Sequence, residues 1–328
     1  MRTALAYNSA GTSEKQLPAF EKDVLEGLKE VPKRLHSKYF YDAKGDALFQ
    51  QIMHCPEYYL TRCEMEILRG QAGEIAQTLR QHAPVFDLVE LGAGDASKSF
   101  HLLKELLRTG AMDTYFPIDI SRNIIAQLQQ SLPAKLPGLT VQGLNGEYME
   151  MLQAAQRFTG RPKLVMFMGS SIGNFTPAEA VQFCTRLRQQ LQPGDLLMIG
   201  FDLRKNPQTI LDAYNDKAGI TRAFNLNLLE RINRELDGDF DLSQFEHFPI
   251  YDPLTGSCRS FLISLKEQAV HISGQTIRFA ANEPLFMEIS QKYTVEEINE
   301  LASRSGFRPV EFFYDSKRWF TDVLWQCR

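Results

Sequence analysis

The sequence predicts an α/β fold, a Rossmann-like parallel sheet with helices on both faces and an added α+β region. Three observations predict it. From about residue 85, short runs that are apolar nearly throughout alternate with amphipathic helical patterns, as strands buried on both faces do. The first of these runs leads into VELGAGDASKS, residues 89–99, where a strand pattern passes through a glycine turn into a helical one. Beyond residue 203 the alternation stops, and two helical stretches are followed by hairpin-forming strands.

Taken in order, residues 19–30 place Phe20, Val24, Leu25 and Leu28 at helical spacing. A short helix is predicted over Asp46–Met53, ended by Pro56. A longer one starts near Thr61, with Glu64 three residues on to complete a capping box. Tyr41, Tyr58 and Tyr59 lie in the loops between these helices. VFDLVEL, TYFPIDI, LTVQGL, KLVMFMG and LLMIGFDL read as five strands. Helices separate them at SKSFHLLKELLRTG, Ser121–Leu132, EYMEMLQAAQRF and TPAEAVQFCTRLRQQLQPGD. The last has Pro177 in its first turn and Gly194 past its end. PQTILDAYNDKAG and ITRAFNLNLLERINREL read as two more helices. Residues 245–293 read as strands with turns at PLTG and SGQT. TVEEINELASRSG is a final helix, and FTDVLWQ is placed to add an antiparallel strand to the main sheet.

With 44% hydrophobic residues among 328, the chain has material for a large core or for two domains. A net charge of -4 exerts no global pull toward nucleic acid or acidic lipid. The 5 cysteines form no CxxC pair, and the 6 histidines are scattered without an HExxH, so no metal site is expected. MRTALAYNSAGTSEKQLPAF lacks the apolar core of a signal peptide, and no run approaches a membrane span. The expectation is a cytoplasmic protein acting on a small molecule, with no nucleic acid, no membrane and no obligatory protein partner.

A glycine turn after a first strand lets a ligand approach the backbone closely. Ligands of open parallel sheets bind beyond the carboxyl ends of the strands. Gly92 and Gly94 are in place, but Ser97 stands where a dinucleotide fingerprint has its third small residue. Asp119 ends the second strand, where a carboxylate can accept hydrogen bonds from both ribose hydroxyls of a nucleoside. Asp95 follows the turn and would repel a pyrophosphate. A sulfonium nucleoside, S-adenosylmethionine, carries positive charge and no phosphate, and suits this acidic turn better than NAD does. The competing reading is a plain strand-to-helix connection.

The third strand runs into LNGEYMEM, which offers Glu147 and Tyr148 for a hydrogen bond to adenine or a stack on it. A helix-start carboxylate and a core aromatic are the alternatives. The fourth strand ends in GSSIGNFTP, where Gly169, Gly173 and Asn174 put exposed backbone and a neutral amide where donor and acceptor should meet. Thr176, directly before Pro177, is the better helix cap, which leaves Asn174 to a ligand.

Together, KYFYDAKGDALFQQI, PEYYLTR, VELGAGDASKS, GSSIGNFTP, LDAYNDKAGITRAFNLNLLERINRELDGDFDLSQFEH and EISQKY resemble the L-histidine Nα-methyltransferase family of ergothioneine biosynthesis. The likeness runs in order from about residue 20 to the C-terminus, and AYNDKAGITRAFN is far more specific than the glycine turn. It implies a class I methyltransferase domain over 63–203 and 291–328, with an inserted α+β substrate-binding domain over 1–62 and 204–290. It implies S-adenosylmethionine as methyl donor and histidine as acceptor, converted to its trimethyl betaine, hercynine. By the same resemblance Gly92, Lys98, Asp119, Glu147 and Tyr148 line the donor site. Tyr58, Gly169, Asn174 and Tyr214 surround the amino-acid head group, with Asn174 and Tyr214 on its carboxylate. Glu288 and Ser290 grip the imidazole, with Tyr41 on a neighbouring loop.

One departure stands out. Where the family tends to carry methionine, in a stretch like EMWL or EMHL, this chain reads RSFL, with Ser260 at that position. The loss of a thioether implies a wider or more polar side-chain pocket. Two alternatives follow: N-methylation of another amine, such as an aromatic amino acid, and a nucleotide-binding sensor without turnover. No general base is assigned, because methyl transfer from a sulfonium needs positioning more than proton abstraction.

Overall fold

The computed structural model describes residues 12–328, with side chains from residue 19 on. Residues 1–11, the start of the stretch read above as lacking a signal core, lie outside the described residues. The chain opens with helices α1 (Thr12–Lys29), α2 (Ala43–His54), α3 (Leu60–Gly70) and α4 (Ala72–His82). The alternating region follows as β1 (Asp87–Leu91), α5 (Ser99–Arg108), β2 (Thr114–Asp119), α6 (Arg122–Lys135), β3 (Thr140–Val141), β4 (Leu144–Asn145), α7 (Tyr148–Gln156), β5 (Lys163–Phe167), α8 (Pro177–Gln190) and β6 (Leu196–Asp202). Then come α9 (Pro207–Ala213), α10 (Ile220–Glu235), β7 (Phe245–Asp252), β8 (Ser257–Ser264), β9 (Gln268–Ile272), β10 (Gln275–Phe279), β11 (Pro284–Gln291), α11 (Val295–Arg304), β12 (Phe307–Tyr314) and β13 (Phe320–Cys327).

The described residues form two compact units. The larger holds Pro56–Ala213, Tyr251–Cys258 and Ile289–Arg328; the smaller holds the chain up to Cys55, Tyr214–Ile250 and Arg259–Glu288. Residues 56–62, 204–213, 251–258 and 289–290 therefore group with the sheet, where the sequence reading had put them with the inserted region.

In the larger unit an eight-stranded sheet runs β12-β13-β6-β5-β1-β2-β3, with β4 also on β2. The β6-β5-β1-β2 core is parallel. β13 lies antiparallel to β6 from Phe320 opposite Asp202 to Gln326 opposite Leu196, the strand predicted at FTDVLWQ. One face packs Val89, Phe116, Val165, Leu197 and Trp325 against Phe183 and Leu187 of α8 and Ile298 and Leu301 of α11. Each large side chain buried this way contributes roughly 1.5–3 kcal/mol.

Two local expectations fail for stated reasons. The third strand is broken into β3 and β4. Between them, a Cβ on Gly143 would lie 2.5 Å from Ile125 Cγ2 and 2.9 Å from the Gln129 amide carbon, so α6 presses on the backbone there. The Thr61–Glu64 capping box does not form. The helix starts at Leu60 with no side-chain cap, and Glu64 turns inward to 1% exposure, where it finds partners stronger than an exposed backbone amide.

The smaller unit is built on α1, α2, α10 and a β9–β10 hairpin. Phe20, Val24, Leu25 and Leu28, the predicted apolar stripe of α1, are all buried. Asp42 caps α2 by accepting from the Gly45 amide at 2.7 Å, and it also takes Asn227 Nδ2 at 2.9 Å, tying α2 to α10.

Candidate active site

β1 ends at Leu91, and Gly92 and Gly94 turn the chain with φ of 73° and 51°, which glycine adopts without strain. A Cβ on Gly92 would stand 2.8 Å from Tyr148 Oη, so close approach also demands glycine there. The Asp119 carboxylate holds the turn: Gly94 N donates to Oδ2 at 3.2 Å and Ser121 N to Oδ1 at 2.9 Å. A carboxylate oxygen has two lone pairs, so each retains one for a further donor. Burial raises the Asp119 pKa, against these amides, which lower it. Asp95 stays exposed and accepts from Ser97 N at 2.9 Å, leaving an acidic lip on the turn. Tyr148 opens α7 and sets its ring edge-on to Phe167, with centroids 5.7 Å apart. Glu147, just before it, is exposed and caps nothing with its side chain.

Lys98 belongs to a second cluster. Its ammonium pairs with Glu64, whose other oxygen accepts from Gly169 N at 2.6 Å. Burial works against the Lys98 cation, but Glu64 raises its pKa above the ordinary value, with smaller help from Asp322 and Glu90. Gly200 makes room for two carboxyls: a Cβ there would collide with Glu64 and lie 3.1 Å from Asp322 Oδ1. Burial first, and then the Glu64 charge, push the Asp322 carboxyl well above the ordinary carboxylate range, against the Lys98 charge, which lowers it.

The loop after β5 forms a 3-10 turn over Ser171–Asn174. Thr176 caps α8 as expected, and Glu179 completes a capping box with it. Asn174 is exposed, and its amide makes no side-chain hydrogen bond among the described residues. A Cβ on Gly173 would lie 2.9 Å from Gln291 O, so this loop lies directly on the end of β11, next to Ser290. Ser290 is buried and accepts from Lys292 Nζ at 2.8 Å. Lys292, wholly buried, also pairs with Asp202 at 2.7 Å. Asp202 takes Tyr59 Oη at 2.8 Å and the Lys205 ammonium as well. Although burial opposes it, the charges of Lys205 and Lys292 hold the Asp202 pKa below its ordinary value.

The larger unit thus brings Gly92, Gly94, Asp119 and Tyr148 together at one turn. It sets Lys98 beside Gly169, and Asn174 on a loop against the end of β11. Tyr58 is also in this unit, buried, with its carbonyl accepting from Arg62 Nη1 at 3.2 Å.

Residues 20–327 match the family described as histidine-specific, S-adenosylmethionine-dependent methyltransferases. The chain belongs to that family. This methyltransferase is 34% identical over 324 residues to histidine N-alpha-methyltransferase of Mycobacterium tuberculosis, covering 98% of this chain and 96% of that one. It is 36% identical over 299 residues to the Mycolicibacterium smegmatis enzyme of the same name, covering 90% and 91%. A 4-dimethylallyltryptophan N-methyltransferase of Claviceps fusiformis matches at 28% over 200 residues, 58% of this chain and 56% of that one.

The residues at the glycine turn fit the methyl donor. Asp119 has an acceptor position open on each oxygen, Gly92 clears a space that a Cβ would fill, and the acidic lip suits a cation. The other four candidates of the methyltransferase lie in the smaller unit. Tyr41 is half-buried, edge-on to Phe49 and Phe224 at 5.6 and 5.7 Å. Tyr214 is buried just past the end of α9. Ser260 is buried in β8, on the same side as Cys258 and Leu262. Glu288 is half-buried in β11, neither turned fully to solvent nor enclosed. Sequence reasoning missed Asp202, Lys292 and Asp322, and gave Glu64 another role. The available signal was a charged residue inside an apolar strand pattern, as in LLMIGFDL and FTDVLWQ.

Proposed function

We propose that this methyltransferase transfers methyl groups from S-adenosylmethionine to the α-amine of free L-histidine, giving the trimethyl betaine hercynine. The observation that carries the reading is the family match over residues 20–327, joined to an Asp119 carboxylate whose two oxygens each have an open acceptor position. In this reading Gly92, Gly94, Lys98, Asp119, Glu147 and Tyr148 hold the donor. Bound there, the donor supplies a sulfonium-activated methyl carbon. Asn174 and Tyr214 take the carboxylate of the amino acid, and Tyr58 and the Gly169 backbone flank its amine. Tyr41, Ser260, Glu288 and Ser290 read the side chain.

The amine must lose its proton before it can attack. A cation beside it favours the neutral form, because like charges disfavour protonation. The tyrosine hydroxyls and the Gly169 backbone then orient the lone pair, and holding the partners in line supplies much of the rate. Three successive transfers need space around the nitrogen, which a site lined by glycine and hydroxyl groups leaves.

A specific observation favours a second reading. Ser260 stands where the resemblance leads one to expect methionine, and a tryptophan-derivative N-methyltransferase is among the relatives. That reading is N-methylation of a larger aromatic amino acid. Incubation with labelled methyl donor and each free amino acid, with products followed by mass, separates the two. Histidine gaining three methyl groups at a rate above every other amino acid supports the first reading. Preferential labelling of tryptophan or tyrosine replaces it with the second.

A further inference from the structure

Gly169 and Ser170 open the Asn174 loop with φ of 74° and 57°. Glycine adopts that left-handed region freely, but serine is strained in it. Hydrogen bonds hold the strained pair in place. Gly169 N donates to Glu64 Oε1 at 2.6 Å, and Ser170 Oγ accepts from Asp202 N at 3.3 Å. Met168 O, in the same peptide unit as the Gly169 N–H, accepts from Ser171 Oγ at 2.7 Å and from Ser171 N at 3.3 Å. Ser171 begins the turn that ends at Asn174.

The other oxygen of Glu64 leads to the glycine turn. Lys98 Nζ donates to Oε2, and Glu64 is the hydrogen-bond partner of Lys98 among the described residues. Glu64 is buried, whereas the Lys98 side chain is partly exposed. An ammonium has three hydrogens, so a ligand can take those that Glu64 does not use. S-adenosylmethionine has one anionic group, its carboxylate. On Lys98, that carboxylate would share the pull of the cation with Glu64. More of the Glu64 charge would then rest on Oε1, because hydrogen bonds in a chain polarise one another. The Gly169 N–H would be gripped harder, and Met168 O would become a better acceptor for Ser171.

We infer that Glu64 is a positioning residue that couples the two sites: a donor bound at Lys98 stiffens the loop that carries Asn174, so the amino acid binds the donor complex more tightly than the free protein. This rests on the reading of Lys98 as a donor contact and of Gly169 and Asn174 as acceptor contacts. It adds that binding at one site reaches the other through a buried side chain that needs no contact with either ligand. Such coupling is reciprocal, so the amino acid tightens the donor by the same factor.

Calorimetry on the full-length protein tests this. Histidine affinity is measured without S-adenosylhomocysteine and with it at saturation, for the parent, Glu64→Gln and Ser171→Ala. S-adenosylhomocysteine has the carboxylate of the donor but no sulfonium charge and no methyl group to transfer. The parent should bind histidine at least about 5-fold more tightly with it present. Glu64→Gln keeps an acceptor for Gly169 N and loses the charge shared with Lys98, so its enhancement should fall below about 2-fold, as for independent sites. Ser171→Ala breaks the chain one link further on and should also show a smaller enhancement than the parent. The enhancement is a ratio within one variant, so a general loss of affinity cancels. An enhancement of parental size in either variant would overturn the inference, since direct contact between the ligands would produce that result. Absence of enhancement in the parent would overturn it too. If Glu64→Gln does not fold, Ser171→Ala decides by the same criterion. Lys98→Met tests the underlying reading separately: an unchanged S-adenosylhomocysteine affinity would take Lys98 out of the donor site, and the inference with it.

Discussion

Glu64 Oε1 accepts a hydrogen bond from the Gly169 amide at 2.6 Å, tying α3 to the loop that follows β5. The other carboxylate oxygen holds the Lys98 ammonium. One buried carboxylate therefore organises a backbone amide and a cation assigned here to the substrate and donor sites. Glu64→Ala should destabilise the fold, since removing one partner of a buried pair costs about 3–5 kcal/mol. Lys98 keeps 21% exposure, so the lower end is expected. Glu64→Gln keeps an acceptor for Gly169 and should lose less. Urea unfolding of both variants decides it, and an alanine variant as stable as the parent would refute this role.

Asp119→Ala should weaken S-adenosylmethionine binding by more than 10-fold. Two ribose hydroxyls lose a charged acceptor, at roughly 1.5–3 kcal/mol each. Gly94 N and Ser121 N also lose the acceptor that shapes the turn. Calorimetric titration of the folded variant with the donor is the measurement, and undiminished affinity would take Asp119 out of the site.

Gly92→Ala should also impair donor binding, through a contact that can be relieved. The added Cβ would lie 2.8 Å from Tyr148 Oη. Tyr148→Phe removes that oxygen, so the double variant should bind the donor more tightly than Gly92→Ala alone. Recovery will be incomplete, because a φ of 73° strains alanine as well. A double variant no better than the single one would show that backbone strain alone sets the loss.

Glu90 gives stability a pH dependence. Burial, only partly offset by the Tyr115 hydroxyl, raises its pKa from the ordinary 4.5 to about 7. The folded protein then binds more protons than the unfolded chain between these values, so stability falls as pH rises through that window. The loss is on the order of 3 kcal/mol. Glu90→Gln keeps an acceptor for Tyr115 and has no charge to bury. Its melting temperature should drop less between pH 5 and pH 8 than the parent's. Asp322 tilts both proteins alike, so equal drops would mean that Glu90 does not titrate here.

Side-chain preference should respond in opposite directions to two residues. Glu288→Ala removes a charge-assisted partner for an imidazole N–H and should cost histidine about 10-fold relative to phenylalanine. Ser260→Met refills volume in the proposed pocket and should favour histidine over tryptophan. Competition assays on the parent and both variants read the ratios. An unchanged histidine-to-phenylalanine ratio in Glu288→Ala would show that Glu288 does not read the side chain.

Local chemistry made much of this protein legible in its sequence. The alternation of apolar strands with amphipathic helices sufficed for the parallel sheet, because strands buried on both faces have no polar side to show. Thr176 was readable as the cap of α8, and the FTDVLWQ strand pairs β6 as its pattern suggested. Gly92 and Asp119 were readable because a turn and a strand end are local features. What the sequence did not show was which charges meet inside. Glu64 reads as a helix cap until Lys98 and Gly169 are folded against it. Asp202 and Lys292 are separated by a stretch that includes α9 and α10, and no periodicity signals that they pair. The break between β3 and β4 likewise depends on how closely α6 approaches Gly143. A buried ion pair must find its counter-charge in three dimensions, because an unpaired charge in the interior is too costly to keep. Periodicity along the chain determined which segments become strands and helices, and only the packing of distant segments decided which buried charges share a partner.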